Sequence, residues 1–398
     1  MPQIEIDTRL VFVYRGAVKR KSTGRYVTVS TVGEKVKAFV PAPLPPRPMP
    51  DLGVAGNNLL NRAMQALGAL DALGEHLPDV APFIYAYVRK EAVYSSMIEG
   101  TQSSLSDLLL YEQGGYEQAD TDDVAEVSHY VSAMQRGMDR MAEGFPVSLR
   151  LMRELHAELL RRGRGSSKMP GEFRQSQNWI GGTRPGNAAY VPPPPRELME
   201  CLGALELFIN REDAIPPLVK AAMVHVQFES IHPFLDGNGR VGRLLIQMML
   251  CGSGVLRKPL LYLSLYFKRH RQQYYRLLNG IRNDGNWEPW IEFFLEAVLH
   301  TATDAVGVLT NLRDCARRDR EAVAALGRMR ANAEKVLDIM QRHVVTRPLI
   351  LAKQAGLAPS TTYRILDTLE QRGIIRQSGG GERNRVYIYA AYRNMLAE

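Results

Sequence analysis

The sequence predicts a mainly α protein: a helical bundle that carries a small β-hairpin flap and is followed by a smaller unit of helices and two short strands. Three observations carry this. From about Asn57 to His300, apolar residues recur three and four apart, as in Leu59, Leu60, Met64 and Leu67 and again in Leu151, Leu155, Leu159 and Leu160, the period of helices with one buried face. The main interruption, Gly171 to Pro195, is rich in Gly, Asn and Pro around the short apolar pair Trp179-Ile180, which reads as an exposed hairpin or flap. From near Ala331 the helical pattern restarts and gives way to Ile374-Ile375-Arg376 and Val386-Tyr387-Ile388-Tyr389, two strand-like runs. The 398 residues, 45% hydrophobic and 23% charged, have the composition of ordinary packed domains and exclude a fibrous or largely disordered chain.

Taken in order, Leu10-Val11-Phe12-Val13-Tyr14 and Tyr26-Val27-Thr28-Val29 are expected to pair as a small hairpin. Residues 41–48, with five prolines, lack amide donors and have fixed φ, so they are expected to lie extended on the protein as a strap. A helical stretch Val88 to Ile98 follows, and then the bundle. The expected divisions are 1–110, 111–300, a helical linker 301–330 and 331–398. In the last part, helix is expected around Val336, Leu337 and Met340, from Leu349 to Ala355, and from Pro359 to Arg372, with Gly373 as its stop. Helix, helix, turn, helix and two strands around Gly379-Gly380-Gly381 is an order that resembles a winged helix-turn-helix domain.

Charge and cysteine content narrow the class further. From Asn311 to Glu398 there are 16 basic and 9 acidic residues, so that segment carries +7 of the chain's +8, a bias that suits a polyanionic partner. Cys201, Cys251 and Cys315 match neither a disulfide framework nor a zinc site, and a reducing cytoplasm is the expected location. The first residues lack an apolar signal core. The best apolar run, Leu244 to Leu256, contains Gln247 and is too short for a bilayer, so no membrane partner is expected.

The chemistry concentrates in residues 232–243, His-Pro-Phe-Leu-Asp-Gly-Asn-Gly-Arg-Val-Gly-Arg, between two apolar helical stretches. Gly237 and Gly239 flank Asn238, so the backbone can turn sharply and aim its amides at one spot, and the next helix adds its positive end. Such a turn holds an anion. Arg240 and Arg243, one turn apart, could add guanidinium donors on the same side of the loop. Asp236 offers a hard oxygen for magnesium beside a nucleotide. His232 could take a proton from an attacking hydroxyl.

These residues match the signature His-x-Phe-x-Asp/Glu-Gly-Asn-Gly-Arg-x-x-Arg at every specified position, and the chain on that basis resembles the Fic (Fic/Doc) family. The resemblance implies a Fic-type helical bundle that binds ATP with Mg2+ and moves AMP to a Ser, Thr or Tyr hydroxyl of a protein, itself included. It implies His232 as general base, Asp236 as magnesium ligand and Phe234 as the loop's anchor. Asn238, with the amides around Gly237 and Gly239, would hold the α-phosphate, and Arg240 and Arg243 the outer phosphates. Gly239, where a kinase-like branch has Lys, favours nucleotidyl transfer over phosphorylation. Ile180, Gly181 and Gly182 resemble the flap that aligns the target by strand pairing. Tyr274, Tyr275 and Asn283 sit where the family places its adenine contacts, although the aromatics also read as core.

Upstream, Ser95-Ser96-Met97-Ile98-Glu99-Gly100 places Ser95 and Glu99 one turn apart on one helix face. By the same resemblance it is an N-terminal inhibitory helix whose Glu99 meets Arg243, blocks the outer-phosphate contact and leaves the enzyme at rest. Related inhibited enzymes use the glutamate in removing AMP, and that reverse activity stays open. The alternative reading is a DNA-binding regulator whose helical body senses nucleotide. Thr361, Thr362 and Arg364 would open a recognition helix and Arg383 and Arg385 would flank the wing, so that residues 331–398 meet duplex DNA. The same unit could instead serve dimerisation, which would make a homodimer, or docking of the target.

Overall fold

A computed structural model describes residues 20, 23–76, 80–112, 121–377 and 385–392. Strands β1 (Gly24–Thr31) and β2 (Glu34–Pro41) form an antiparallel hairpin in which Tyr26 faces Phe39. The partner of the Tyr26–Val29 run is therefore β2, not the Leu10–Tyr14 run, which lies outside the described residues. Val32 and Gly33 at the turn both have positive φ, the geometry of a two-residue hairpin that follows strand twist. The proline-rich strap then lies on the body: the Ala42 carbonyl accepts from the Gln227 side chain, and Arg20 donates to the Pro48 and Met49 carbonyls.

The body follows as α1 (Gly53–His76), α2 (Val80–Ile98), α3 (Leu105–Glu112), α4 (Thr121–Ala142), α5 (Leu149–Leu159), α6 (Pro195–Asn210), α7 (Pro217–Ile231), α8 (Asn238–Gly252), α9 (Ser264–Arg269), α10 (Arg271–Asp284) and α11 (Trp287–Ala324). Helix α7 is buried nearly all the way round, from Leu218 to Ile231, and so forms the centre of the bundle. Helix α11 runs unbroken for 38 residues, so the expected division at 300/301 falls inside it, as the one at 110/111 falls inside α3. One window of α11 is long and apolar enough to cross a membrane by length and composition alone. Here Trp290, Phe294 and Val298 on that helix are fully buried in the bundle core.

The C-terminal unit comprises α12 (Arg330–His343), β3 (Val345–Thr346), α13 (Pro348–Ala355), α14 (Pro359–Gln371), β4 (Ile375–Gln377) and β5 (Tyr387–Tyr389), with strand order β3-β5-β4. This is a helix-turn-helix with a wing. Pro348 and Pro359 each sit in a first helical turn, and Gly356 ends α13 with positive φ, as helix start and stop chemistry requires. Its core of Val336, Leu337, Ile365 and Leu369 is continuous with that of the body. Tyr389 donates to Asp319 on α11 at 2.6 Å, and Tyr85 on α2 meets His343 edge-on at 6.2 Å.

Candidate active site

Helix α7 ends at His232 because Pro233 disfavours helical backbone in the residue before it. His232 takes left-handed angles, φ 49 and ψ 62, a sparsely populated region for a side-chain-bearing residue and one often held at functional sites. Each of the last four carbonyls finds a donor. Arg282 donates to Glu229, the Tyr190 hydroxyl to Ser230, and Arg174 to both Ile231 and His232. This accounts for the orphan acceptors at the helix end and fixes the imidazole-bearing residue. Burial, reinforced by the Arg174 and Arg282 cations, pushes the His232 pKa down to about 3, so the ring is neutral. Its Nδ1 is buried with no hydrogen-bond partner.

The turn from His232 to α8 is braced from inside. Phe234 is fully buried and stacks on His156 with ring centroids 3.8 Å apart. The Gly171 amide donates to His156 Nδ1 at 2.8 Å, which leaves Nε2–H to donate to the Asp236 carbonyl at 3.0 Å. Protonation would place a second N–H against the Gly171 amide, and burial holds the His156 pKa down to about 4. Asn238 accepts from the Phe234 amide and donates to the Phe234 carbonyl, both at 2.8 Å. Its side chain is thereby spent on closing the loop, and the expected contact with an α-phosphate is corrected to a structural role. Gly237 has φ 75, which a side chain would strain, and Val241 N returns to its carbonyl to start α8.

The two arginines, expected to act together, turn to different elements. Arg243 donates from Nε to Ser95 Oγ at 2.8 Å and from Nη2 to the Ser95 carbonyl at 2.9 Å and to Glu99 Oε1 at 2.8 Å. Arg240 is buried against Glu126 of α4, with Asp236 3.6 Å away. It is therefore not open to an outer phosphate, contrary to the sequence expectation. Glu99 lies just beyond α2, where Gly100, at φ 104, breaks the helix. A Cβ on Gly239 would lie 2.1 Å from Glu99 Oε1, so the carboxylate rests on the first turn of α8, the position where an anion would meet that helix end.

Asp236 accepts from the Gly237 amide at 2.6 Å, and its carboxylate is partly exposed. Among the described residues no group of three or more His, Cys, Asp and Glu could hold a metal. The donors present fit magnesium only as one carboxylate completed by nucleotide oxygens and water, the ordinary coordination of that ion with phosphates. Of the adenine candidates, Tyr274 is corrected to core: it is buried, hydrogen-bonded to His225 Nε2 at 2.8 Å and packed on Phe267 and Trp290. Tyr275 is 37% exposed, and Asn283 is exposed and accepts from the Tyr26 hydroxyl at 3.3 Å.

Ile180 and Tyr190 form an antiparallel bridge with bonds of 2.8 and 3.1 Å, and Gly181 and Gly182 have positive φ. On the C-terminal unit, Thr361 is half-buried and Arg364 exposed. Thr362 is fully buried and donates to the Ala358 carbonyl, which corrects its place among DNA contacts. Arg383 lies outside the described residues, and Arg385 is half-buried beside Tyr387. Sequence reasoning missed Glu126, His156, Arg174, Arg282 and Glu229. The last is buried, its Oε1 has no partner, and burial raises its pKa to about 7.

A helical bundle that holds a histidine, a glycine turn and a helix N-terminus together, with a winged helix attached, defines a Fic-fold protein. Residues 57–139 match the Fic/DOC family N-terminal region, 146–250 the Fic/DOC family and 332–379 the IclR helix-turn-helix domain. The chain thus carries the Fic/DOC N-terminal region and the Fic domain over residues 57–139 and 146–250. It is 33% identical over 157 residues to the protein adenylyltransferase Fic of Aedes aegypti, covering 39% of this chain and 28% of that one. It is 31% identical over 163 residues to that of Drosophila grimshawi, covering 40% and 30%. The chain thus spans under a third of the length of these curated relatives. In fold it is similar to a Fic family protein from Desulfovibrio desulfuricans G20, with TM-score 0.58 and 19% identity over 86% of this chain and 98% of that one. It is also similar to a Fic domain containing signaling protein from Bacteroides thetaiotaomicron, with TM-score 0.51 and 19% identity over 64% and 97%.

Proposed function

We propose that this protein is an adenylyltransferase that moves AMP from ATP to a Ser, Thr or Tyr hydroxyl of a protein, itself included, and that Glu99 holds it at rest. The observation that carries the reading is the neutral His232, held in left-handed backbone geometry at the mouth of a turn whose next helix offers its N-terminus. In this reading His232 takes the proton as the hydroxyl oxygen bonds to the α-phosphorus, while the bond to the β-phosphate breaks and pyrophosphate leaves. The amides at the start of α8 stabilise the negative charge that grows on the phosphoryl oxygens. Arg243, once released from Glu99, meets the outer phosphates. Arg240 acts indirectly, tying α8 to α4 through Glu126. Asp236 is the residue that would hold Mg2+, which when bound neutralises phosphate charge. Ile180 to Gly182 supply the edge that aligns the target, and Tyr275 is the aromatic face available to adenine.

The resting state follows from competition. Glu99 occupies both the guanidinium and the helix end that triphosphate requires, so ATP enters in a pose unsuited to in-line attack. The same carboxylate could orient water for the removal of AMP. A test incubates wild type, Glu99→Gly and Glu99→Gly/His232→Ala with labelled ATP and Mg2+ and weighs the adducts. An AMP adduct with Glu99→Gly that vanishes with the second change supports the reading. A phosphate adduct, or an AMP adduct that survives loss of His232, defeats it. The IclR-type helix-turn-helix favours a second function, in which the exposed Arg364 and half-buried Thr361 on α14 contact duplex DNA. Binding that weakens with salt and with Arg364→Ala would support it.

A further inference from the structure

The flap is one side of a larger ribbon. Phe39 of β2 donates its amide to the Val191 carbonyl at 2.9 Å, so the returning arm of the flap continues the β1–β2 hairpin. Val36 and Ala38 of β2 share a small apolar cluster with Val191, with Trp179 and Ala188 packed against it. At the tip, Arg184 donates to Glu34 Oε2 at 2.7 Å. A Cβ on Gly186 would lie 2.1 Å from that same oxygen and 2.8 Å from Arg184 Nη1. The Glu34 carboxylate is thus seated directly on the flap backbone, in a place only glycine leaves open. Asn187 holds the turn by accepting from the Thr183 and Arg184 amides, both at 3.0 Å.

We propose that the β1–β2 hairpin is a positioning element for target capture, with Glu34, Arg184 and Gly186 forming a clasp that holds the flap ready before a target arrives. It rests on the adenylylation reading above. A flap held at its returning arm leaves the Ile180–Gly182 edge to receive a target strand, and pre-ordering it removes ordering cost from the binding step. Glu34 and Arg184 touch neither the His232 turn nor the α8 end. They are therefore positioning residues and leave nucleotide affinity unchanged.

The test reads hydrogen exchange across residues 180–191 in the full chain, together with AMP incorporation in the Glu99→Gly background. Glu34→Arg and Arg184→Glu should each speed flap exchange and cut incorporation by up to about fivefold, the range of a partly exposed ion pair, and the double swap should restore both. Gly186→Ala should do the same alone and add nothing in a Glu34→Ala background, since the new methyl acts by evicting that carboxylate. Unchanged exchange in the single variants, or a swap that fails to restore it, overturns the clasp. Faster exchange with undiminished incorporation overturns its role in capture. No incorporation by the Glu99→Gly parent overturns adenylylation and with it that role, while exchange still separately decides whether the clasp orders the flap.

Discussion

Replacing Glu99 with glycine is expected to raise AMP transfer by about 10- to 150-fold. The ion pair it removes joins an Arg243 side chain that is 2% exposed to a Glu99 side chain that is 31% exposed, at 2.8 Å. One partner is desolvated and the other is still wet, so bare Coulomb energy overstates the contact. A hydrogen bond between charged groups, about 1.5–3 kcal/mol, is the better measure. Triphosphate must displace that bond to reach Arg243 and the start of α8. The same free energy therefore appears as lost productive binding, and about 1.4 kcal/mol is tenfold.

The substitution leaves the fold intact for two reasons. Glu99 lies past the last residue of α2, so no helical position is weakened, and Arg243 keeps Ser95 Oγ and the Ser95 carbonyl. The assay is initial-rate incorporation of labelled AMP at subsaturating ATP, with calorimetric ATP binding measured in parallel. Glu99→Gln, which keeps the shape and removes the charge, should fall between wild type and Glu99→Gly. Equal rates for wild type and Glu99→Gly, with ATP bound by both, would refute the competition argument.

Three other outcomes are expected. Glu126→Ala strands Arg240, since both side chains of that pair are 1% exposed, and should lower unfolding free energy by about 3–5 kcal/mol in urea titration; a loss under 1 kcal/mol would mean that water or Asp236 substitutes fully. Asn238→Ala orphans the buried Phe234 amide and carbonyl and should cost about 2–4 kcal/mol while abolishing transfer, whereas a stable but inactive variant would return Asn238 to a direct phosphate role. Burial holds the His225 pKa down to about 3, against about 6.5 unfolded, so the unfolded chain binds more protons between those values. The stability His225 lends is complete above about pH 6.5 and is lost as pH falls toward 3, and His225→Gln should lose about 2 kcal/mol less than wild type between pH 7 and pH 5; parallel losses would show that His225 is charged in the fold.

Much of the fold and of the candidate site was legible because the signals were local. Residues 232–243 carry their own turn chemistry, and Ser95 and Glu99, which share a helix face by spacing, do meet one guanidinium. What was misread follows from helical phase and distance. Tyr274 lies on the same stripe as Leu278 and Ile281, and Thr362 on that of Ile365, Leu366 and Leu369, all buried; for Tyr274 this decides for core between the two readings its aromatic ring allowed. The hairpin turn at Val32-Gly33 was hidden by a valine in a left-handed position that such residues rarely adopt. Glu126 lies 114 residues from Arg240, and no spacing rule links α4 to α8. Arg174 and Arg282 belong to no motif in the sequence, and it is the carbonyl end of α7 that demands them as buried donors.

The position of Glu99 makes sense only with the other helix in view. A carboxylate at the C-terminal end of α2 is disfavoured by that helix's dipole, by about 0.3–1 kcal/mol, and one at the start of α8 is favoured by a similar amount. The two nearly cancel, so the Arg243 hydrogen bond decides where the side chain rests. In the adenylylation reading a triphosphate would feel only the attractive end, with more charge than a carboxylate, and would compete for the same guanidinium. In that reading, release of Glu99 would require no unfolding of α2: the residue lies past the last helical position, and a change of its own side-chain rotamer would move the carboxylate off Gly239 while Ser95 keeps its bonds to Arg243. On that reading, whatever favours the released rotamer by the strength of one charged hydrogen bond would suffice to turn transfer on.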